Sequence, residues 1–168
     1  MGDSVVIVYE AKIIKDLVPV DFIEYFQKLP DLYKWNIVDH DEGNNVIKYI
    51  WESQSPMKTA IYIQTLYAPQ YNAETGELIY VDTTIGNREL EAKHISAEEM
   101  QHCVVAKRSE CWIVSPVSDD SGHVIGCSLK RVYYFDYGSI VPSHIKKKFS
   151  QQDLKLLVNE IELIKSMK

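Results

Sequence analysis

The chain has 168 residues, of which 46% are hydrophobic, so it can bury one substantial core, and its length favours a single domain. A formal charge of −6 and a pI near 5.4 exclude general nucleic-acid binding, which needs a basic face. The longest apolar run, VVIVY at 5–9, is far shorter than the roughly 20 residues that span a bilayer, and no secretory signal precedes it. We therefore predict a soluble, cytoplasmic protein.

The first third of the chain predicts a strand, a helix and a hairpin. Residues 4–14 are rich in β-branched and aromatic side chains, which favour a strand. Pro19 then opens a helix with an apolar stripe that includes Phe22 and Phe26, and Pro30 ends it. Strands near 35–40 and 45–51 follow, joined by the turn sequence DEGN.

The remainder predicts two more hairpins and a long helix. The paired strands are 60–68 with 77–85 and 103–115 with 123–135. The intervening residues 86–102 form a long connection, typical of a functional lid or of disorder, in which SAEE at 96–99 favours a helical turn. After a cap at Ser150, residues 151–168 carry apolar side chains at helical spacing.

This order of elements predicts an α+β helix-grip fold. A curved antiparallel sheet of about seven strands would grip the long C-terminal helix, because that helix is the only long apolar element available to cover the sheet. In such an arrangement sheet and helix do not touch along their whole length, and the gap between them is a ligand cavity.

Short segments resemble a known family in the order in which they occur. Asp136, Gly138, Ile140 and Pro142 are similar, with glycine one place early, to the D-x-x-G-x-[IL]-P exit of START (steroidogenic acute regulatory-related lipid transfer) domains. In that family the exit joins the last strand to the C-terminal lid helix.

Three further segments agree with this resemblance, which spans roughly residues 5 to 166. LYKWN at 32–36 resembles R-x-x-W-D after the first helix, CWIVSP at 111–116 resembles a strand ending W-x-[IV]-x-P, and SPMKT at 55–59 lies where the family has P-x-R-D-F. Lys58 and Thr59 replace the Arg-Asp pair, and the family's N-terminal helix and first two strands have no counterpart. The chain is thus either a single shortened domain over 1–168, close to the minimal shape of the pollen-allergen superfamily, or a fragment.

The resemblance implies that one phospholipid or sterol binds in the cavity and is carried or sensed without chemistry, by a monomer that contacts membranes transiently. No catalytic fingerprint, cofactor motif or metal-ligand spacing competes with this reading, so we expect neither an enzyme nor a cofactor. A helix-grip protein-interaction module or ligand sensor is the alternative, and a cyclase or hydrolase on the same fold is a third.

Candidate cavity-lining residues come from the first helix, the strands and the last helix, although strand parity alone does not decide which strand residues face inward. They are Phe22 or Phe26 at one end, the strand residues Trp112 and Tyr133, and Leu154, Val158 or Ile161 of the last helix. The cavity that they line is expected to have a volume of several hundred Å³.

Aromatic strand residues suggest a second possibility, a cage that holds a choline headgroup by cation–π attraction. Its candidates are Tyr49, Trp51, Tyr62, Trp112 and Tyr134, although aromatic strand residues are more often core or cross-strand partners.

Four polar residues have two interpretations each. Lys48 and Gln64 interrupt apolar strands and either face solvent or hold the polar head of a ligand. Arg88 and Arg108 are either solvated charges or part of the site, Arg88 as a gate at the start of the long connection.

The lysines at 146–148 precede the predicted helix. Either Lys146, Lys147 and Lys148 form a solvated turn before a helix that begins at Ser150, or they contact anionic lipid headgroups with Phe149 dipping beneath them.

Overall fold

The structure, a computed structural model, describes residues 4–51, 59–137 and 143–168, with the backbone alone for residues 51 and 143–145. Within these residues the strands are Ser4–Lys15 (β1), Asn36–Asp41 (β2), Asn44–Trp51 (β3), Ala60–Leu66 (β4), Gln70–Tyr71 (β5), Leu78–Thr83 (β6), Val104–Val105 (β7), Lys107–Ser118 (β8) and Val124–Asp136 (β9). The helices are Asp21–Gln27 (α1), Leu29–Leu32 (α2), Arg88–His94 (α3), Ala97–His102 (α4) and Ser143–Met167 (α5).

All nine described strands belong to one sheet. Seven of them follow the order β1-β9-β8-β6-β4-β3-β2 with antiparallel pairing, while β5 adds to β6 and β7 pairs parallel to β4. The predicted α+β helix-grip architecture is therefore confirmed, including its three hairpins and its long C-terminal helix. The predicted segment 55–59 and the exit residues Gly138, Ile140 and Pro142 lie, apart from Thr59, outside the described residues.

The main core lies between the inner face of the sheet and helices α1 and α5. Phe26 of α1 stacks on Tyr80 of β6 with ring centroids 4.0 Å apart, and it meets the edge of Trp112 of β8 at 5.4 Å. Leu157 and Ile164 of α5 are buried against the same cluster. The apolar stripe read from the sequence of α1 thus packs into this core.

Helices α3 and α4 cover the opposite, outer face of the sheet. Ile95, between the two helices, packs with Ile61 and Ile63 of β4, which alternate with the inward-facing Tyr62. Ser96 caps α4 through a reciprocal capping box with Glu99, as the sequence predicted. The segment 86–102 is therefore an ordered outer layer, and the expectation of a lid over the cavity was wrong.

Strand β4 is consequently buried on both faces. All seven of its residues are buried, because inner-face packing and the α3–α4 layer enclose it from two sides. This explains its nearly continuous apolar sequence, which lacks the alternation of a half-exposed strand.

Helix α5 begins at Ser143, seven residues before the predicted start, so the expected turn at 146–148 is helical. Ser150, predicted as the cap, instead donates from its hydroxyl to the carbonyl of Lys146, 3.3 Å away, as a serine inside a helix does. Ser143 directly follows Pro142 in the sequence, and proline favours the first turn of a helix. With the helix starting at Ser143, the lysines at 146–148 lie at or beyond the end of its first turn, where the unfavourable effect of the helix macrodipole on positive charge is small.

Candidate functional site

A cavity of about 210 Å³ lies between the inner face of the sheet and the N-terminal half of α5. It is bounded by strands β1, β3, β4, β8 and β9 and by the helix. Its lining residues are Val5, Ile7, Tyr49, Tyr62, Arg108, Tyr133, Phe135, Phe149, Gln152, Asp153 and Leu156.

Aromatic rings form most of one wall. Tyr49 and Tyr62 are directly opposite in the β3–β4 register and stack with centroids 5.9 Å apart. Tyr133 and Phe135, two residues apart on β9, share a face and stack at 6.3 Å. Phe149 of α5 meets the edge of Phe135 at 6.0 Å. This wall suits an apolar ligand.

Arg108 supplies a cation to this otherwise aromatic wall. Its guanidinium lies 5.2 Å from the ring centroid of Tyr133, and Nη2 donates to Oε2 of Glu110 at 2.6 Å. Its Nε is buried and lies 3.9 Å from the nearest carboxylate oxygen of Asp82, beyond hydrogen-bond range. A ligand oxygen that reached Arg108 would meet a donor held in place by its neighbours.

A buried network of charges continues behind Arg108. Arg131 of β9 donates to Oε1 of Glu110 at 2.5 Å and to Asp153 of α5 at 3.3 Å, and it lies 3.8 Å from Glu160. Glu110 also accepts from the indole N–H of Trp112. Four carboxylates therefore share two guanidinium groups, so the described cluster holds more acid than base.

Burial and neighbouring charges shift the pKa values of the acids in this network in opposite directions. Burial opposes ionisation of Glu110, but the guanidinium groups of Arg131 and Arg108 outweigh burial and lower its pKa to about 2. Burial, aided by the negative charge of Glu110, raises the pKa of Asp82 to about 7. Burial likewise raises the pKa of Glu160 to about 7, against the attraction of Arg131. The excess negative charge is thus reduced by protons held near neutral pH.

Only part of the predicted site meets at this cavity. Tyr62 and Tyr133 line it, and so does Phe149, which was predicted as a membrane contact. Phe22, Phe26 and Trp112 lie deeper, in the main core, where they pack on one another. They are not among the residues that line the cavity.

The α5 candidates divide between surface and core. Leu154 and Val158 are about half exposed, whereas Ile161 packs against the main core. None of the three is among the residues that line the cavity. Leu156, which the sequence analysis did not select, lines it instead.

The polar candidates Lys48, Gln64 and Arg88 are not among the residues that line the cavity. Lys48 shares the outer face with Ile63, pairs with Glu99 at 2.6 Å and donates to the carbonyl of His94 at 2.8 Å, so it fastens α4 to the sheet. Gln64 is buried and donates to Asp82 in the inner network. Arg88 is exposed at the first residue of α3.

The predicted choline cage is not assembled as a set. Tyr49 and Tyr62 line the cavity, Trp112 lies in the core, and Tyr134 alternates with Tyr133 and so faces outward. The side chain of Trp51 lies outside the described residues. Arg108 is a fixed cation in the same cavity and would repel a quaternary ammonium group.

The lysines on the first turns of α5 differ in their exposure to solvent. Lys147 and Lys148 are exposed, whereas Lys146 and Phe149 are half-buried. Their contact with a membrane stays a prediction.

Sequence reasoning missed the buried carboxylates and Arg131. The available signal was parity: Arg108, Glu110 and Trp112 alternate along β8, and Arg131 faces Trp112 across the β8–β9 register. When two neighbouring strands carry opposite charges on the face that also carries an aromatic core residue, the charges are expected to form a buried ion pair.

Two kinds of feature are absent from the described part of the chain. There, no helix is long and apolar enough to cross a membrane. The same residues contain no group of three or more His, Cys, Asp or Glu side chains that could hold a metal ion.

Comparison with solved structures shows the fold. Human STARD10 aligns with a TM-score of 0.56 at 11% identity, over 96% of this chain and 62% of that chain. The human StarD13 (DLC2) lipid transfer and protein localization domain aligns with a TM-score of 0.57 at 14% identity, over 98% and 76%. The chain thus has the START-type helix-grip fold, and it spans about 62% of the STARD10 chain. No family model matches the sequence, and no curated protein matches it.

Proposed function

We propose that the protein binds one lipid-like ligand, a phospholipid or a sterol, in the cavity beneath α5 and carries or senses it without chemistry. The observation that carries this proposal is the aromatic cavity with Arg108 in its wall, which offers an apolar surface together with one fixed donor for a ligand's polar head. The two START-type relatives, one of which is a lipid transfer domain, share this fold and support the proposal.

The cavity volume limits how a ligand fits. About 210 Å³ is below the roughly 300–1,000 Å³ of typical small-molecule sites, and the several hundred Å³ expected from the sequence is not present. A whole phospholipid or sterol therefore requires that the wall move.

The first half of α5 is the wall best placed to move. The buried apolar anchors of the helix, Leu157 and Ile164, both lie in its C-terminal half. The first half, over the cavity, has Phe149 half-buried and Leu154 and Leu156 about half exposed. We expect the ligand to displace this half, breaking the hydrogen bonds that Arg131 and Tyr9 donate to Asp153 and Ser150, while the C-terminal half stays docked.

An acid–base site for catalysis has weaker support. Asp82 and Glu110 are strongly shifted in pKa, but both are buried behind Arg108 and neither is among the residues that line the cavity. A substrate in the cavity would not reach them in this arrangement.

Native mass spectrometry after incubation with a total lipid extract tests the proposal. The wild-type chain should retain one lipid per molecule. L156W, at the cavity wall, should lower the retained fraction, because the indole occupies part of the cavity. L154W is the matched control, since Leu154 is similarly exposed on the same helix but outside the lining. Absence of retained lipid in the wild-type chain, or equal losses in both variants, would refute the proposal.

A further inference from the structure

The two edges of the sheet are protected to very different degrees. The β2 edge is short, carries a bulge between Ile37 and Asp39, and is covered by side chains of α3: Lys93 and His94 contact Asp39 at 2.6 and 3.0 Å. Natural sheets use such bulges, charges and coverings to prevent pairing with another chain. The β2 edge is therefore protected against pairing with a strand of another chain.

The β1 edge is protected only in its second half. A bulge lies between Ala11 and Ile14; Lys12 is within it, and Lys15 follows it. From Ser4 to Ala11 the strand pairs with β9 without interruption, and residues 5–9 carry no charge, proline or glycine. No other described strand pairs with β1, so its second edge presents unpaired backbone groups over this stretch.

The uncharged stretch is complementary to itself. In an antiparallel pair with its two-fold axis at Ile7, Val5 faces Tyr9 and Val6 faces Val8 of the second copy, so every pair joins apolar side chains. Glu10 then faces Ser4, and no like charges meet. A two-fold interface requires this kind of self-complementarity.

The outward side chains agree with such pairing. Val6 and Val8 are 63% and 51% exposed, and Val8 continues across the sheet in register with Val132, Cys111 and Val81 as an apolar row. In the antiparallel pair with its axis at Ile7, Val8 faces Val6 of the second copy, so this apolar row would continue into the second copy. Cross-strand apolar contacts of this type stabilise strand pairs.

We infer that the protein associates with a second copy of itself through antiparallel pairing of β1 residues 5–9. The monomer expected from the sequence would then be the dissociated form. Because Val5 and Ile7 also line the cavity, the second copy would lie next to the part of the cavity wall that β1 forms. This inference rests on the sheet edge and does not depend on the identity of a ligand.

Sedimentation equilibrium from micromolar to near-millimolar protein tests the interface. The wild-type chain should show a monomer–dimer equilibrium. V6K/V8K, which places like charges opposite each other, should raise the dissociation constant at least about tenfold. V124K/I125K is the matched control, because Val124 and Ile125 are 52% and 46% exposed and lie at the far end of β9. Its dissociation constant should equal that of the wild-type chain.

A charge-swap experiment identifies the register. V6K/V8K mixed with V6E/V8E should form heterodimers at concentrations at which each variant alone is monomeric, because opposite charges then face each other. Circular dichroism establishes that each variant is folded. A wild-type chain that stays monomeric throughout, a V6K/V8K variant that dimerises like the control, or a mixture without heterodimers would overturn the inference. Binding of an extended segment from another protein, with no self-association, would overturn it as well.

Discussion

Arg131 on the last strand donates a hydrogen bond to Asp153 on the C-terminal helix across 3.3 Å. The same guanidinium binds Glu110 and lies 5.1 Å from the ring centroid of Trp112. One buried side chain therefore connects the sheet, the helix and the aromatic core.

Replacing Arg131 should destabilise the fold strongly. R131M leaves Glu110 and Asp153 without their shared cation, and breaking a buried pair in this way costs about 3–5 kcal/mol. K130M, at the next residue, removes only the exposed pair with Glu10 and should cost less than about 1 kcal/mol. Urea unfolding measures both. Similar losses in the two variants would contradict the buried network.

The free energy of unfolding should depend on pH through Glu160. Its pKa is raised by burial to about 7, so its favourable contribution is complete below the pKa of the unfolded carboxyl, near 4.5, and is lost as the pH rises through about 7. Glutamine mimics the protonated acid. E160Q should therefore flatten the decline in stability between about pH 4.5 and about pH 7.

The matched control for that experiment is E162Q. Glu162 lies on the same helix, is largely exposed and pairs with Lys165 at 2.9 Å. Its substitution should leave the pH profile unchanged. The assignment fails if E160Q and E162Q give the same slope in urea unfolding across this range.

Phe26 should matter for stability and not for ligand binding. F26L loses the stacking on Tyr80 and leaves a void in the core, at a cost of about 1–3 kcal/mol. Because Phe26 is not among the cavity-lining residues, the fraction of folded protein that retains lipid should equal that of the wild-type chain. Reduced retention in native mass spectra, at equal folded fraction, would restore Phe26 to the ligand site.

The lysines of α5 should strengthen binding to anionic membranes. Each basic residue near such a surface contributes about 1 kcal/mol, so K146Q/K147Q/K148Q should weaken liposome binding by roughly two orders of magnitude at low salt. K12Q/K34Q/K155Q removes the same charge from other exposed positions and is the control. Unchanged binding of the first variant in vesicle flotation would remove the membrane contact and leave the cavity proposal intact.

Local patterns predicted the architecture because each element carries its own signal. The stripe containing Phe22 and Phe26 marks α1, and Ser96 with Glu99 marks the start of α4. The start of α5 was misplaced because Ser150 resembles a cap in sequence, whereas the helix continues through it. Local signals identify elements better than their ends.

The site was harder to predict because its polar residues break the usual rule. Glu110 and Arg131 lie on inward positions of their strands, where alternation favours apolar side chains, and only their mutual pairing permits burial. Lys48 faces outward, and the sequence around it does not reveal its partner. That partner, Glu99, lies on α4, whose position over the sheet depends on tertiary packing. Pairing between distant segments cannot be read from either segment alone.

The enclosure of β4 from both sides predicts that this strand opens late in unfolding. Its backbone is paired with β3 along the whole strand, and its side chains are packed on both faces, so we expect its amides to be among the slowest to exchange hydrogen with solvent in the described part of the chain. Opening the first half of α5 would remove Phe149 from the cluster that contains Tyr62, but the packing of Ile61 and Ile63 on Ile95 at the outer face would remain. We therefore expect ligand entry under α5 and global unfolding to be separate events, since the first need not detach the outer layer that holds β4.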